Sequence, residues 1–216
     1  MKPTLMFCLL TALLAAKGAA WAHPVAFDGA TQIQATYMGP ANSLEAYHTY
    51  DVGVAFGLNS ELLRLPDEDL LLVGLQHNWL VKRWNFRSAQ ANFYAGGGAG
   101  CGFGWIKDKP TSKEPYGRVA VQGDYETLWI YAAAKSALNI GSGFTHSENT
   151  LSLGFAPYAH DYDGLATWLI VDLSYISEMD KQVRVIPKVR LFKNSWFIEA
   201  GCSLDGDPLL SCMIHF

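Results

Sequence analysis

The segment Thr145-His146-Ser147-Glu148 brings together an imidazole, a hydroxyl and a carboxylate, the groups of a nucleophile–base catalyst. Neighbouring residues of an extended chain point in opposite directions, so His146 and Ser147 would not form a hydrogen-bonded pair there. Polar and turn-forming residues precede the segment, which predicts a solvated loop. We therefore expect no catalytic residue, and His146 is the single candidate that an enzymatic interpretation would use.

A metal site is the second chemistry that the sequence allows, and it depends on His23. If the chain is cut after Ala22, the free amine and imidazole of His23 could together chelate copper(II), which suits nitrogen ligands. Pro24 has no amide proton, which removes the competing chelate through a backbone nitrogen. A third ligand such as His48 or His77 has no supporting spacing, so the expectation is that the protein has no cofactor, with copper as the alternative.

Residues 1–22 have the features of a cleaved secretory signal helix. Lys2 is basic, an apolar run extends from Leu5 to Ala16, and Ala20-Trp21-Ala22 fits the small-residue cleavage pattern. Lys17 interrupts the run, which is too short to span a bilayer. The sequence therefore predicts a signal peptide at 1–22 and a single mature domain at 23–216.

Composition narrows the class of protein. The net charge of −4 is spread along the chain without a long run of one sign, which argues against nucleic-acid binding. Beyond the leader there are three cysteines, Cys101, Cys202 and Cys212, and no C-x-x-C pair, so neither a disulfide framework nor a zinc site is indicated. Cys202 and Cys212 flank a turn and could face each other across two strands; their pairing is left open.

From residue 30 onward, segments that alternate between apolar and polar residues are separated by polar turns, and helical periodicity is almost absent. In residues 182–192, for example, valines and a leucine occupy one face, and Gln182, Arg184, Lys188 and Arg190 occupy the other. This pattern fits a soluble β-sandwich with an apolar core, or a barrel with apolar faces toward lipid and a polar lumen.

Three observations favour the barrel. The chain is 50% hydrophobic and only 17% charged, which is apolar for a soluble sandwich. The segments have about 9–11 residues, the length of a tilted strand that crosses a bilayer. Aromatic residues recur near the predicted strand ends, as in an interfacial belt. These aromatic residues are Tyr37, Trp79, Trp84, Trp105, Tyr116, Trp129, Tyr158, Trp168, Tyr175 and Trp196.

The polar faces would then line the lumen. Basic and acidic residues are nearly balanced there, and unpaired buried charge is costly, so we expect the charges to pair and plug the bore. Three cations on one strand, Arg184, Lys188 and Arg190, could instead attract a small anion. The predicted lumen network comprises Asp51, Arg118, Asp124, Glu126, Lys135, Asp172, Arg184, Lys188, Arg190 and Glu199.

A row of glycines falls on the same inward face at every second position, namely Gly96, Gly98, Gly100, Gly102 and Gly104. Glycine in a strand marks curvature or close approach, and here it would leave room for a large neighbour such as Tyr94 or Tyr131. A nucleotide-binding loop would need a following helix, which the sequence does not predict.

The secretory signal, the amphipathic strands and the final alternation Leu210, Cys212, Ile214 and Phe216 resemble a bacterial outer-membrane β-barrel. The resemblance implies an outer-membrane location, contact with lipid, and recognition of the terminal strand by the barrel assembly machinery. "QANFY", "GFAPY" and "SLDGD" also resemble an uncharacterised group of small proteobacterial envelope proteins, which implies no function. Eleven segments are recognisable and such barrels need an even number, so we expect 10 or 12 strands.

The sequence thus predicts an all-β antiparallel transmembrane barrel with a plugged polar lumen and no enzymatic activity, with a structural or small-solute-binding role. One alternative is a narrow passage or binding site for a small anion or a metal ion such as copper. A second is a lipid-acting outer-membrane enzyme that uses His146. In the lipid-A deacylase pattern, however, His and Ser stand two apart on one strand, and here Glu148 occupies that position.

Overall fold

A computed structural model describes residues 24–66, 69–106, 109–159, 164–177 and 183–216. The predicted signal peptide and His23 lie outside the described residues. A helix capable of spanning a membrane is not found among the described residues.

The described chain forms a closed ring of twelve antiparallel strands, in which each strand pairs with its neighbours in sequence and β1 pairs with β12. This confirms the all-β barrel, with the larger of the two predicted strand numbers. The strands are β1 (Thr31–Met38), β2 (Ala41–Asp51), β3 (Val54–Arg64), β4 (Asp69–Asn85), β5 (Ala89–Ile106), β6 (Lys109–Thr127), β7 (Ile130–Gly141), β8 (Thr145–Phe155), β9 (Ala166–Ile176), β10 (Arg184–Lys193), β11 (Trp196–Cys202) and β12 (Pro208–His215).

The strand missing from the sequence-based count lies in residues 47–58, which alternate like one strand but fold as a hairpin. The chain reverses at Asp51-Val52-Gly53, where Gly53 has a φ of 84° that favours glycine. The side chain of Asp51 is exposed and accepts a hydrogen bond from the amide of Val52 at 2.7 Å. The predicted place of Asp51 in the lumen network is therefore wrong, because this residue stabilises a turn.

The outer wall is apolar and the interior is polar. Phe56, Val119 and Leu153 are 45%, 57% and 54% exposed, whereas Arg118 and Glu199 are 5% and 6% exposed. A soluble sandwich would show the reverse distribution, since its apolar faces form the core. The alternation therefore has the orientation expected of a barrel whose outer wall contacts hydrocarbon.

The aromatic belt is only partly as predicted. Trp79, Trp84 and Trp129 are exposed on the outside, but Trp168 and Tyr116 are buried in the interior. The reason is strand parity, because Trp168 lies four residues before the inward Asp172 and Tyr116 lies two residues before the inward Arg118. Proximity to a strand end is thus a weaker guide to position than the face on which a residue falls.

The ring closes between β1 and β12. Thr31 and Phe216 exchange two backbone hydrogen bonds, of 2.8 and 3.0 Å, at the end of this seam. Leu210 and Phe216 are exposed on the outer wall, Cys212 is half-buried and Ile214 is buried. Recognition of this strand by the assembly machinery stays a prediction.

The three cysteines among the described residues, Cys101, Cys202 and Cys212, form no disulfide. Cys212 lies opposite Ile198, and Cys202 lies opposite Pro208. Cys202 and Cys212 are therefore not cross-strand neighbours.

The glycine row of β5 lies where strands and interior side chains approach closely. A Cβ on Gly100 would overlap the carbonyl oxygen of Val73 and lie 2.8 Å from the ring of Tyr116. A Cβ on Gly102 would lie 3.2 Å from the ring of Phe144. The row therefore makes room for large neighbours, as expected, but these are Tyr116 and Phe144 and not the predicted Tyr94 or Tyr131.

We expect Gly100→Ala to lower the free energy of unfolding by about 1–3 kcal/mol, because β4 and β5 must move apart to admit the methyl group. Urea unfolding of the folded protein in detergent micelles, followed by tryptophan fluorescence, measures this change. Gly117→Ala is the matched control, since nothing lies within 4 Å of a Cβ there, and its effect should stay within about 0.5 kcal/mol. Equal stability of the two variants would contradict the close approach.

Candidate functional site in the barrel interior

The interior consists of a polar middle between two apolar layers. We call the end where β1 begins and β12 ends the proximal end, and the opposite end the distal end. The distal layer combines Leu63 of β3 with Ile176 of β9, which are six places apart in the ring of twelve and therefore on opposite walls. The buried members of the distal layer are Ala41, Leu63, Leu70, Leu72, Tyr116 and Ile176, with Met38, Leu65 and Phe144 packed against them.

Two further apolar clusters lie toward the proximal end. In one of them Val25, which precedes β1, packs in a cluster with Tyr47, Ala55 and Tyr94. The other contains Trp168 and comprises Tyr131, Ala156, Ala166, Trp168 and Ile170. These layers were not predicted, because the aromatic residues were assigned to the outer belt.

A first ionic cluster, which we call the cross-bore cluster, lies next to the distal layer and consists of Arg118, Glu61, His146 and Glu148. The guanidinium of Arg118 is 3.7 Å from a carboxylate oxygen of Glu61 and 3.7 Å from one of Glu148. Arg118 also donates a hydrogen bond of 3.0 Å to Asn139. Since β3 and β8 are five places apart in the ring, this cluster joins nearly opposite walls.

The position of His146 differs from the prediction. It lies in β8 and not in a loop, and its side chain points into the lumen with no exposed surface. Ser147 is the next residue of the strand, so its side chain projects from the other face of the wall. The two side chains therefore lie on opposite faces, as the sequence argument required, and they form no nucleophile–base pair.

A second ionic cluster is built on β10. Lys188 Nζ is 2.6 Å from Asp172 and 3.0 Å from Glu199, and Arg190 Nε donates a hydrogen bond of 2.8 Å to Glu199. The guanidinium of Arg190 also lies over the ring of Tyr131, 4.4 Å from its centroid. Because each cation here has a carboxylate partner, the cluster offers little net attraction for an anion.

The remaining predicted residues lie at several places. Asp124 accepts a hydrogen bond of 2.7 Å from Asn92 in the interior. Arg184 pairs with Asp207 at 3.1 Å, outside both clusters. Glu126 is half-buried on β6. Lys135 lines the interior between the two clusters.

Some interior residues were missed from sequence. Arg83 lies opposite the buried Asn92 and donates a hydrogen bond of 2.7 Å to it, whereas Lys82 lies opposite Phe93, which is exposed on the outer wall. A register shift between Leu80 and Lys82 changes which residues face inward, and no sequence signal marks it. Glu61 was missed because β2 and β3 were interpreted as one strand that ended before it. The polar residues Asn59 and Glu61 are two positions apart, and this spacing could have indicated an inward face.

The described residues enclose two cavities of note in the polar middle. The larger has a volume of about 230 Å³ and is lined by polar side chains that include Gln34, Glu45, Gln122 and Lys135. The smaller has about 140 Å³ and adjoins the cross-bore cluster, since Glu61, Arg118 and Glu148 line it.

The proposed third ligands for copper do not face the interior. His48 and His77 lie on the outer wall, where His77 bonds to the hydroxyl of Tyr50 and packs edge-on against Trp79. Pro24, in contrast, lines the interior, where its carbonyl accepts a hydrogen bond from Asn78. Copper binding at His23 stays a prediction, and neither His48 nor His77 is placed in the interior as a further ligand.

We expect Glu199→Gln to lower the free energy of unfolding by about 3–5 kcal/mol, because Arg190 loses its carboxylate partner in the interior. Urea unfolding in micelles measures the difference. Asp205→Asn makes the same chemical change in an exposed turn and should cost less than about 0.5 kcal/mol. A small effect of both substitutions would mean that water reaches the second cluster freely.

Comparison with known proteins yields structural likeness only. No protein-family model matches the sequence, and no curated protein matches it. A solved structure described as KdgM porin is 10% identical, with a TM-score of 0.49, covering 87% of this chain and 98% of that one. KdgM porin in complex with disordered oligogalacturonate is 9% identical, with a TM-score of 0.47 and the same coverage. CdiB from Acinetobacter baumannii is 8% identical, with a TM-score of 0.33, over 88% of this chain and 61% of that one.

Proposed function

We propose that the protein is a bacterial outer-membrane barrel with a closed, charge-paired lumen and without enzymatic activity, which serves as a structural envelope protein or binds a small polar solute. The observation that carries this proposal is the contact between nearly opposite walls. Arg118 is within salt-bridge distance of carboxylates on β3 and β8, and the distal layer also joins opposite strands.

The membrane location is supported by the distribution of polarity. Large apolar side chains such as Val119 and Leu153 are exposed around the outer wall, where hydrocarbon would cover them. Backbone groups in hydrocarbon must find partners within the protein, and the closed ladder provides them. Outer-membrane lipid is thus the first partner, and the assembly machinery that would read β12 is the second.

A closed lumen is favoured over a passage for ions. Ion-selective pores carry rings of one sign, whereas three of the interior cations, Arg118, Lys188 and Arg190, are paired with carboxylates. The apolar layers at both ends would add a dewetted barrier. The cavity of about 230 Å³ is larger than the roughly 150 Å³ that accommodates benzene in an engineered core. A small solute would therefore fit in the middle of the barrel.

A lipid-acting enzyme receives no support from the geometry. Such an enzyme needs its nucleophile and base together at a surface that lipid can reach. His146 is fully buried in the lumen, and Ser147 is on the opposite face of the wall.

We expect the purified protein without its signal peptide to fold only in detergent micelles or liposomes, because the exposed apolar wall would otherwise aggregate. A folded band that shifts on heating in gel electrophoresis, together with protection from protease in liposomes, checks this. A monodisperse folded monomer in detergent-free buffer would contradict the membrane location.

We expect no steady current when the folded protein is inserted in a planar lipid bilayer, because side chains from opposite walls fill the bore. Replacing Leu63 and Ile176 together by alanine, which thins the distal layer, should produce intermittent openings and verify that insertion is detected. A sustained open conductance of the unmodified protein would refute the closed lumen and favour the narrow passage.

A further inference from the structure

We propose that Glu61, His146 and Glu148 form a binding site for one divalent transition-metal ion of the zinc type, which links β3 to β8 across the bore. This inference goes beyond the proposed function, since a closed lumen requires only that charges pair. It is also separate from the predicted copper site at His23.

The spacing of the three ligand atoms fits a shared ion. His146 Nε2 is 3.4 Å from Glu148 Oε1 and 3.8 Å from Glu61 Oε1, and the three residues offer ligand atoms that lie within 4.8 Å of one another. Nitrogen and oxygen ligands at about 2.0–2.2 Å from a tetrahedral zinc ion are roughly 3.3–3.6 Å apart. The separation of 3.4 Å lies within this range, and that of 3.8 Å is slightly longer. Both exceed the usual hydrogen-bond length of about 2.7–3.2 Å, so direct hydrogen bonding explains them less well.

Two of the three ligand atoms, those of His146 and Glu148, are buried and lack hydrogen-bond partners among the described residues. The His146 side chain has no exposed surface, and neither its Nε2 nor Glu148 Oε1 makes a hydrogen bond there. Leaving such groups unsatisfied in the interior is costly. A metal ion at the centre of the three residues would satisfy both atoms at once.

The charge around the site also favours a cation. The cavity that adjoins the site is lined by three carboxylates, Glu45, Glu61 and Glu148, against two cations, Arg118 and Lys135. With a neutral imidazole, one negative charge is therefore left over. A proton on His146 is the competing occupant, because an imidazolium would pair with both carboxylates, and the experiment must separate it from a metal.

The remaining coordination position has space. Three protein ligands leave a tetrahedral zinc ion with one open position, which water normally fills. The adjoining cavity of about 140 Å³ exceeds the roughly 30 Å³ that one water occupies, so a metal-bound water fits beside Glu61 and Glu148.

The test uses the folded protein in detergent micelles, stripped with a chelator and then titrated with zinc chloride. We expect about one tightly held zinc per chain by calorimetry and by elemental analysis after gel filtration. X-ray absorption should show nitrogen and oxygen ligands at about 2.0–2.2 Å and no sulfur near 2.3 Å. If the protein binds no zinc at any concentration tested, a proton on His146 occupies the site and the proposal is overturned. Sulfur ligands in the X-ray absorption spectrum would place the metal at a cysteine and would also overturn it.

Three variants locate the ion. Glu61→Gln, Glu148→Gln and His146→Ala should each weaken zinc binding at least tenfold. Glu45→Gln, in the same cavity but outside the ligand set, should change it less than about twofold. Unchanged affinity in all three ligand variants would place the zinc elsewhere, for example at His23 or the outer histidines, and would refute the site. If a variant does not fold, as judged by the heat-shifted band in gel electrophoresis, the metal–ligand distances measured by X-ray absorption on the unmodified protein decide whether the site exists.

Discussion

Closure of the hydrogen-bonded ring is the constraint on which the rest of the structure depends. Backbone groups that face hydrocarbon have no water to bind, so every strand needs two neighbours, and β1 must meet β12. Twelve strands enclose a wider bore than the eight-stranded barrels that side chains just fill, and a narrower one than the water-filled porins. The interior is therefore wide enough to need long side chains from both walls and narrow enough for them to meet.

The types of side chain in the barrel interior follow from the width of the bore. Arginine, lysine and glutamate have the reach to contact each other across the lumen, and their burial is tolerable only when opposite charges are paired and hydrogen-bonded. Arg118 and Arg190 each have carboxylate and further polar or aromatic contacts. Apolar clusters lie on either side of this charged middle, toward the two ends of the barrel. The glycines of β5 also contribute to interior packing, because Tyr116 and Phe144 occupy the space that larger side chains on β5 would take.

The outward and inward faces were predictable wherever the period of two runs undisturbed, as in β10, where Lys188 and Arg190 point inward as expected. The errors arose where local geometry breaks that period. The hairpin at Gly53 lies within a segment that alternates like a single strand. Asp51 was therefore predicted in the lumen although it lies at the turn, and Glu61 was not predicted. The register shift near Lys82 brings Arg83 inward. Contacts across the bore depend on which strands stand opposite in the closed ring, so the grouping of Glu61 with His146 has no signature in sequence spacing.

The long sequence separation of the cross-bore contacts has a kinetic consequence. Neighbouring strands are joined by hairpins, so the ladder can grow locally, one turn after another. Glu61 and His146 can approach only when the five intervening strand pairings have curved the sheet round. The ionic clusters are thus expected to be absent from the folding transition state, and weakening them should accelerate unfolding while leaving the folding rate nearly unchanged. In this barrel the charged middle would govern how long the protein stays folded, and the hairpins would govern how quickly it gets there.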